Sequence, residues 1–537
     1  MPSENTPLFG ENASAHNDNE SSRKSSVPYG LIALFLFIFL IIALISMAPH
    51  DFYESSPEDI ISPGQLTRNV FAHLKAFDQI AKSGASVKHN GHGSRSVLNS
   101  YNKSAEYVVS QLEKTKCETE RMYFKVPVWN KVKEAAMNVS LNTTPTGKDV
   151  KNTIALQGGI DFWSTYDDFD LFVYDMRDGG VATMVENAAV VEIPHYGCQE
   201  VKEWKHVKGK VALISNGGKC TYFKAAYRAE NEGAVAVIFY NTPEDQELIY
   251  TRVRKYAWSE GDPTIRIPVL SSTYTVGQLL RNEHSARISI RTYSTLTIAT
   301  TYNVICRWGE ASSYDNTIVL GAHLDSVPDG PGLVDNASGS AVLLEILLAL
   351  ERAHFVSKNY LIFAWWGAEE LGQLGSRMFV KKLLETGEID SVAMNLNFDM
   401  LGSPNYVPFI HRGTDAPLEV QNASIKIQKT FIEYFSAARR PYEIIDMKAG
   451  SDFLPFLENG IPSGGILTGA GAKKTEEQRR IFGGFANAAY DTCYHQSCDD
   501  VENVNEDAIM ITSSAALHTI IRFAQQPHLR RFLDIAV

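Results

Sequence analysis

The sequence has no run rich in lysine or arginine, and its 50 basic side chains are outnumbered by 62 acidic ones for a formal charge of −12. A phosphate backbone is bound by a clustered basic face, so nucleic acid is excluded as a partner. Cysteine is scarce, six in 537 residues. An even number in an oxidising compartment points to disulfides rather than metal thiolates. One apolar run stands out, Tyr29 to Ala48, about 20 residues without a charge, which as a helix spans roughly 30 Å of hydrocarbon.

That run predicts an uncleaved transmembrane anchor. A cleaved signal peptide has an apolar core of ~7 to 15 residues behind a short leader, whereas 28 residues precede this one and Pro49 follows its only small-residue cleavage candidate, Ala48. Arg23 and Lys24 lie before the span and Asp51, Glu54, Glu58 and Asp59 after it. The positive-inside rule then puts residues 1–28, a polar and disordered tail, in the cytoplasm and the rest in a lumen or outside the cell. The expectation is a single-pass type II protein of a vacuole, lysosome-like compartment or cell surface. Sequons at Asn102, Asn138, Asn142 and Asn422 would face the glycosylating side, and that at Asn12 would not.

Apolar residues make up 44% of the chain and charged ones 21%, with 23 Tyr and 26 Phe, a folded composition long enough for two or three domains. Two amphipathic helices, from Leu66 and from Asn99, precede a strand over Met122 to Val128. Short β-type runs between 130 and 291 read as a separate small domain. From Thr301 strands alternate with helices: Thr317 to Ala322, a helix over Ser338 to Ala353, Tyr360 to Trp366, a helix through Phe379 to Glu385, and Val392 to Phe398. Near-continuous apolar strands alternating with helices imply an α/β fold with a mostly parallel, doubly covered sheet, whose sites form beyond the carboxyl ends of the strands.

Three of those ends are polar: IVLGAHLDS at His323, LIFAWWGAEE at Glu369 and Glu370, and AMNLNFDM at Asp399. The loop GPGLVDNASG adds Asp335 and YDTCYHQSCDD adds His495. A lone His or Asp at a strand end is more often a turn or cap residue; the whole set, with its Glu-Glu pair, reads as a site. Two imidazoles and three carboxylates suit a pair of zinc ions, since a single structural zinc is closed by about four ligands. Asp335 is the natural bridge, with His323 and Asp399 on one metal and Glu370 and His495 on the other. Glu369 is then the general base, provided the chain has turned by Gly367 and Ala368 so that adjacent glutamates share one cleft. Asp325 has the spacing to hold the second nitrogen of His323 through its carboxylate. Cys493 and Cys498 flank His495, where a disulfide would stiffen the ligand loop. Cys117 pairs with Cys306 if strands 122–128 and 301–307 are neighbours.

The segments GKVALISNGGKCTYFKAAYRAENEGAVAVIFYN from Gly209 and RIPVLSSTYTVGQLL from Arg266 resemble the protease-associated domain, which implies an insert over 130–291 and a Cys198–Cys220 disulfide. GAHLDSVPDGPGLVDNASGS, FAWWGAEELGQLGS, DMLGSPNY, NGIPSGGILTGA and CYHQSCDDVENVN resemble, in order, the M28 family of co-catalytic zinc peptidases, aminopeptidase Y type. This second resemblance implies a peptidase domain over 60–129 and 292–537 with two zinc ions per chain. It also implies the ligand set above, Glu369 as acid and base, and Tyr494 as a donor to the oxyanion. Substrates would be peptides with a free N-terminus. Gly450-Ser451-Asp452 stands where many members have Arg-Ser-Asp, which opens the question of substrate preference. The alternatives are a glutamate carboxypeptidase-like exopeptidase, disfavoured because only about 40 residues come after His495, and an inert receptor-like relative. The oligomeric state stays open.

Overall fold

The computed structural model describes residues 60–84, 93–131, 135–141, 152–157, 173–176, 179–199, 204–244, 253–282, 284–309, 316–447 and 450–535. The expected tail and anchor over 1–48 lie outside these residues, as do Asn12 and Asn142; Asn102, Asn138 and Asn422 are exposed. Residues Ser55–Val537 form one compact unit.

In chain order the strands are β1 (Glu118–Lys131), β2 (Ala136–Leu141), β3 (Asn152–Gln157), β4 (Val173–Asp175), β5 (Met184–Ile193), β6 (Val211–Ser215), β7 (Ala236–Tyr240), β8 (Val269–Ser272) and β9 (Arg287–Arg291). Next come β10 (Ser294–Trp308), β11 (Thr317–His323), β12 (Leu361–Trp366), β13 (Val392–Phe398), β14 (Phe409–His411), β15 (Glu443–Ile445) and β16 (Ser463–Leu467). The principal helices are α1 (Pro63–Ser83), α2 (Tyr101–Leu112), α3 (Tyr222–Asn231), α4 (Tyr274–Asn282), α5 (Ser338–Arg352), α6 (Leu374–Thr386), α7 (Leu418–Ala437), α8 (Leu454–Leu457), α9 (Glu476–Phe482) and α10 (Glu506–Ala524).

Two eight-stranded sheets result, one in the order β1-β10-β12-β11-β13-β16-β14-β15, the other β3-β2-β9-β5-β6-β7-β8-β4 and drawn wholly from residues 136–291. In the first, four of the seven pairings are parallel, in keeping with the mostly parallel expectation, and three at the flanks are antiparallel. β12, β11, β13 and β16 run parallel in the middle, while β1 with β10, β10 with β12, and β14 with β16 are antiparallel. At one flank β1 and β10 form a long two-stranded ribbon that brackets in sequence the residues of the second sheet, and antiparallel pairing there needs no crossover helix.

Alternation along the middle strands explains why both faces are covered. Ile318, Leu320 and Ala322 of β11, with Leu361, Phe363 and Trp365 of β12, point into a core shared with α1, α2, α5, α7 and α10. Val319, Ile362, Ala364 and Trp366 point the other way, onto Phe379, Val380 and Leu383 of α6 and Phe456 of α8. This is the period-2 geometry of a strand buried on both sides. The second sheet repeats it: Val211 and Leu213 face α4, and Ala212 and Ile214 face α3.

Among the described residues one helix, Leu333–Arg352, has the length and apolarity to cross a membrane, and 94% of its most apolar stretch is buried inside the protein. It is the core helix α5 with the turn before it. Each fully buried leucine there contributes about 1.5–3 kcal/mol, which fixes the helix that comes after Asp335. All six cysteines are paired, as Cys117–Cys306, Cys198–Cys220 and Cys493–Cys498.

Candidate metal centre

The register of the parallel strands sets the site. His323 lies level with Trp366, and Gly321 sits between Ala364 and Asn397. His323, the turn after Trp366 and Asp399 therefore leave the sheet along one edge, at the carboxyl ends of β11, β12 and β13.

The turn that carries the two glutamates falls at Gly367 and Ala368, which contribute in different ways. Ala368, not Gly367, takes the left-handed conformation, with φ of 61°. Gly367 serves space instead, since a Cβ there would lie 2.6 Å from the Tyr101 hydroxyl and 2.7 Å from the Tyr302 carbonyl. Beyond the turn the Glu369 and Glu370 amides donate to the two oxygens of Asp325, at 3.0 and 3.2 Å. One buried carboxylate thus pins two consecutive amides. The Asp325 carboxylate is correspondingly not the closest partner of His323: Nδ1 lies 3.1 Å from the Asp325 backbone carbonyl and 3.7 Å from its Oδ1.

The other imidazole nitrogen points at carboxylates. His323 Nε2 lies 3.1 Å from Asp335 Oδ1 and 3.4 Å from Asp399 Oδ1. His495 Nε2 lies 3.0 Å from Asp335 Oδ2 and 3.2 Å from Glu370 Oε1. Asp335 therefore offers one oxygen to each imidazole. The result is two overlapping triads, His323-Asp335-Asp399 and Asp335-Glu370-His495, each with its ligand-capable atoms within 4.8 Å of one another. His495 itself is held at φ 60° between the bonded Cys493 and Cys498, with the Tyr494 ring stacked on it at a centroid distance of 3.8 Å.

The charges in this cluster do not balance. Burial opposes a proton on His495, but Glu370 and Asp335 outweigh it and push the imidazole up to about 10. His323 is likewise raised, with Asp399, Asp325 and Asp335 overcoming burial. Burial pushes the Glu369 carboxyl well above its ordinary range, and burial with the surrounding carboxylates does the same to the Tyr494 phenol, which stays a hydrogen-bond donor. Asp399 Oδ1 is buried with no well-formed hydrogen bond, its neighbour His323 Nε2 lying 3.4 Å away. Nitrogen and oxygen donors, surplus negative charge and an unsatisfied buried carboxylate oxygen fit a divalent cation pair.

Several supporting residues are not apparent from the sequence. Asp499 accepts from the Val334 and Asp335 amides at 2.8 and 3.1 Å, and burial beside Asp491 pushes its carboxyl up to about 8. Ser451 donates to Asp399 Oδ2 at 2.7 Å while accepting from Asn397. Gln373 donates to Glu369 Oε1 at 2.7 Å. Arg95, fully buried, donates to the carbonyls of Leu324, Pro331 and Gly332 and ties down the loop ahead of Asp335. Asp499 has a local signal in the motif around His495, but Arg95 and Gln373 carry none. Gly450 sits beside Gln373: a Cβ there would lie 3.2 Å from Gln373 Nε2.

The chain matches the description "Peptidase family M28" over residues 303–520 and "PA domain" over 181–280. It is 36% identical over 323 residues to an aminopeptidase of Pseudomonas aeruginosa, covering 59% of this chain and 58% of that protein. To leucine aminopeptidase 2 of Trichophyton rubrum it is 31% identical over 343 residues, 63% of this chain and 67% of the other. The chain thus matches less than two thirds of the length of the Pseudomonas relative. A solved zinc aminopeptidase from Bacillus subtilis shares the fold, with a TM-score of 0.54 at 20% identity over 86% of this chain and 95% of that one. Strand-end geometry, motif order and these likenesses agree: the chain belongs to peptidase family M28.

Proposed function

We propose that the chain is a metallo-aminopeptidase that hydrolyses the N-terminal residue from peptides, using two zinc ions and Glu369 as general base. The observation that carries this reading is the Asp335 carboxylate, which turns one oxygen to each of two imidazoles. The names of the Pseudomonas and Trichophyton relatives and of the Bacillus zinc enzyme support it. His323 and Asp399 would hold one zinc, Glu370 and His495 the other, with Asp335 between them. When bound, zinc supplies Lewis acidity and lowers the pKa of water to roughly 7.

Glu369, held by Gln373 and pushed up by burial, accepts the proton of the attacking water and returns it to the leaving amine. Tyr494, protonated and stacked on His495, donates to the oxyanion. Asp325 positions both glutamates through their amides. In this reading residues 60–129 and 292–537 form the peptidase domain and 130–291 the protease-associated insert. Residues 29–48 anchor the protein as a type II membrane glycoprotein with its active site in a lumen or outside the cell.

The test is hydrolysis of leucine, lysine and N-acetyl-leucine anilides by the chain from residue 50 onward, with and without chelator, alongside metal analysis. Hydrolysis of the free-amine anilides, its loss on chelation and two zinc ions per chain are expected. Equal cleavage of the blocked substrate would remove the aminopeptidase assignment, because an exopeptidase of this kind recognises the free amine.

A further inference from the structure

A strap from the second sheet's part of the chain reaches the turn that bears the glutamates. Val253 and Ile265 are buried in the core that α3 shares with Ala212 and Ile214, so the strap is rooted there at both ends. Both positions fall within the stretch that matches the PA domain. Between them the chain crosses to the first sheet's side. Trp258, only 4% exposed, packs in one cluster with Ala368, Leu374 and the β1 residues Phe124, Val126 and Val128. Ala368 and Leu374 open and close the glutamate turn, the Leu374 amide donating to the Ala368 carbonyl at 3.1 Å.

The strap is stiffened by its own bonds. Asp262 accepts from the Ser259 amide at 2.8 Å and pairs with Lys255, while its own amide donates to the Ser259 carbonyl at 2.9 Å. The Trp258 indole donates to the Asp262 carbonyl at 3.1 Å, which orients the ring within its cluster. The Tyr256 hydroxyl is bonded to Glu458 and accepts from Arg377 of α6, a second tie to the first sheet's side. Beside these ties, residues 254–257, the start of α3 and Gly372–Gln373 enclose a cavity of about 440 Å³. Apolar contact between strap and turn is therefore concentrated at Trp258.

The turn has a polar and an apolar side, held by different parts of the molecule. On the polar side Asp325 takes the Glu369 and Glu370 amides, and Gln373 donates to the Glu369 carboxylate. On the apolar side stands Ala368 at φ 61°, a conformation that a residue with a side chain keeps where its surroundings impose it. Truncating Trp258 opens a hole in the cluster that holds Ala368, one residue before the proposed base. A general base works within hydrogen-bond reach of its proton, and a displacement of about 1 Å costs on the order of 10²-fold in rate.

We infer that Trp258 is a positioning residue for Glu369: its indole, presented by a strap rooted in the second sheet's core, fixes the turn from which the base projects. The inference rests on the reading of Glu369 as general base. The second sheet's part of the chain then contributes to the reaction without touching substrate or metal. Turnover depends on the strap staying docked at this one ring, whereas the rest of that sheet can be weakened without effect on the chemistry.

Leucine anilide kinetics at two zinc concentrations, metal analysis and amide hydrogen exchange over residues 367–374 test this on the full chain. Trp258→Ala is expected to lower kcat by about 10–100-fold with KM within about threefold, and to speed exchange over 367–374. Trp258→Leu gives the same comparison in the event that the alanine variant does not fold. Trp258→Phe, which keeps a ring in the gap, is expected to restore kcat to within about threefold of the wild type. Leu213→Ala, a truncation in the second sheet's other core, is expected to lower thermal stability yet leave kcat within about twofold. Unchanged kcat in the Trp258 variants, or an equal fall in Leu213→Ala, would overturn the positioning role. A deficit that vanishes at the higher zinc concentration would place the effect at Glu370 and overturn it as well. No anilide hydrolysis by the wild type would overturn the reading of Glu369 as base, and this inference with it.

Discussion

The two sheets share a local plan and differ in the residues placed just beyond their strands. Both have parallel strands at their centre, helices on both faces and interior strands such as β7 and β12 that are buried throughout. After β6 and β7, the polar residues consume one another's hydrogen bonds. Asn216 accepts from Gly217 and Tyr222 and donates to Asn241, which accepts from Thr242. After β11, β12 and β13 come His323, Glu369, Glu370 and Asp399, where carboxylates face carboxylates and imidazoles stand between them. The first arrangement is complete as a fold; the second is the one to which the proposed zinc ions are assigned. A shared architecture thus leaves chemistry to a few residues at the strand ends.

The strongest test of this contrast is the bridging residue. Asp335→Asn is expected to abolish anilide turnover and to reduce bound zinc on both sides of the bridge, read by metal analysis beside circular dichroism. Retention of two zinc ions per chain by this variant would contradict the bridging role. Glu369→Gln should keep both metals and the fold yet lower kcat by roughly 10²–10⁴-fold, the usual weight of a general base. Near-normal turnover would remove Glu369 from the chemistry.

Smaller effects probe the supports. Asp499→Asn replaces one of the two accepting oxygens by an NH2 donor, so either the Val334 or the Asp335 amide loses its acceptor, and a loss of about 10–100-fold in zinc affinity is expected by competition with a chelator. The helix behind Asp335 is anchored by Glu345, which is bonded to Asn69 at 2.7 Å, to His73 at 3.2 Å and to Arg352. Burial opposes the Glu345 charge, but these partners outweigh it and hold its pKa below the ordinary value. A carboxylate depressed in the folded state stabilises above its unfolded pKa of about 4.3, and that stability is lost as pH falls through the folded value. Glu345→Gln should cost about 1–3 kcal/mol at neutral pH and progressively less below about pH 4, measured by urea unfolding.

The smallest effect belongs to the second sheet. Thr273, after β8, caps the start of α4 by accepting from the Val276 amide at 3.4 Å. Thr273→Ala should cost about 1 kcal/mol of stability and leave anilide turnover within about twofold. A large catalytic loss there would show that the two sheets are less separate in role than their strand ends indicate.

Much of the central sheet is readable from the chain. The expected strand over 392–398 is the observed β13, and the expected helix over 338–353 differs from α5 by one residue. These segments are buried on both sides, so their apolar runs and flanking turns are strong local signals. The strands at the flanks are less legible. β14 and β15 are three residues each, and the antiparallel pairing of β1 with β10 joins residues about 170 positions apart. Alternation after Thr301 carries no sign of the antiparallel pairing at the flanks.

The site divides along the same line. Residue types and motif spacing determined which side chains are available: two histidines, the acidic residues at three strand ends, and a cysteine pair around His495. The tertiary structure decided how they are held. Asp335 is shared because α5 and the His495 loop converge on it, and its amide is fixed by Asp499, 164 residues away. Ala368 takes the left-handed conformation, and Tyr101 and Tyr302 leave no room for a side chain at Gly367. Gln373 reaches Glu369 from four residues along the same turn, and the cavity wall beside it comes from the second sheet's segment. Sequence patterns record local geometry and chemical type; contacts between distant residues depend on packing, which only the folded chain supplies.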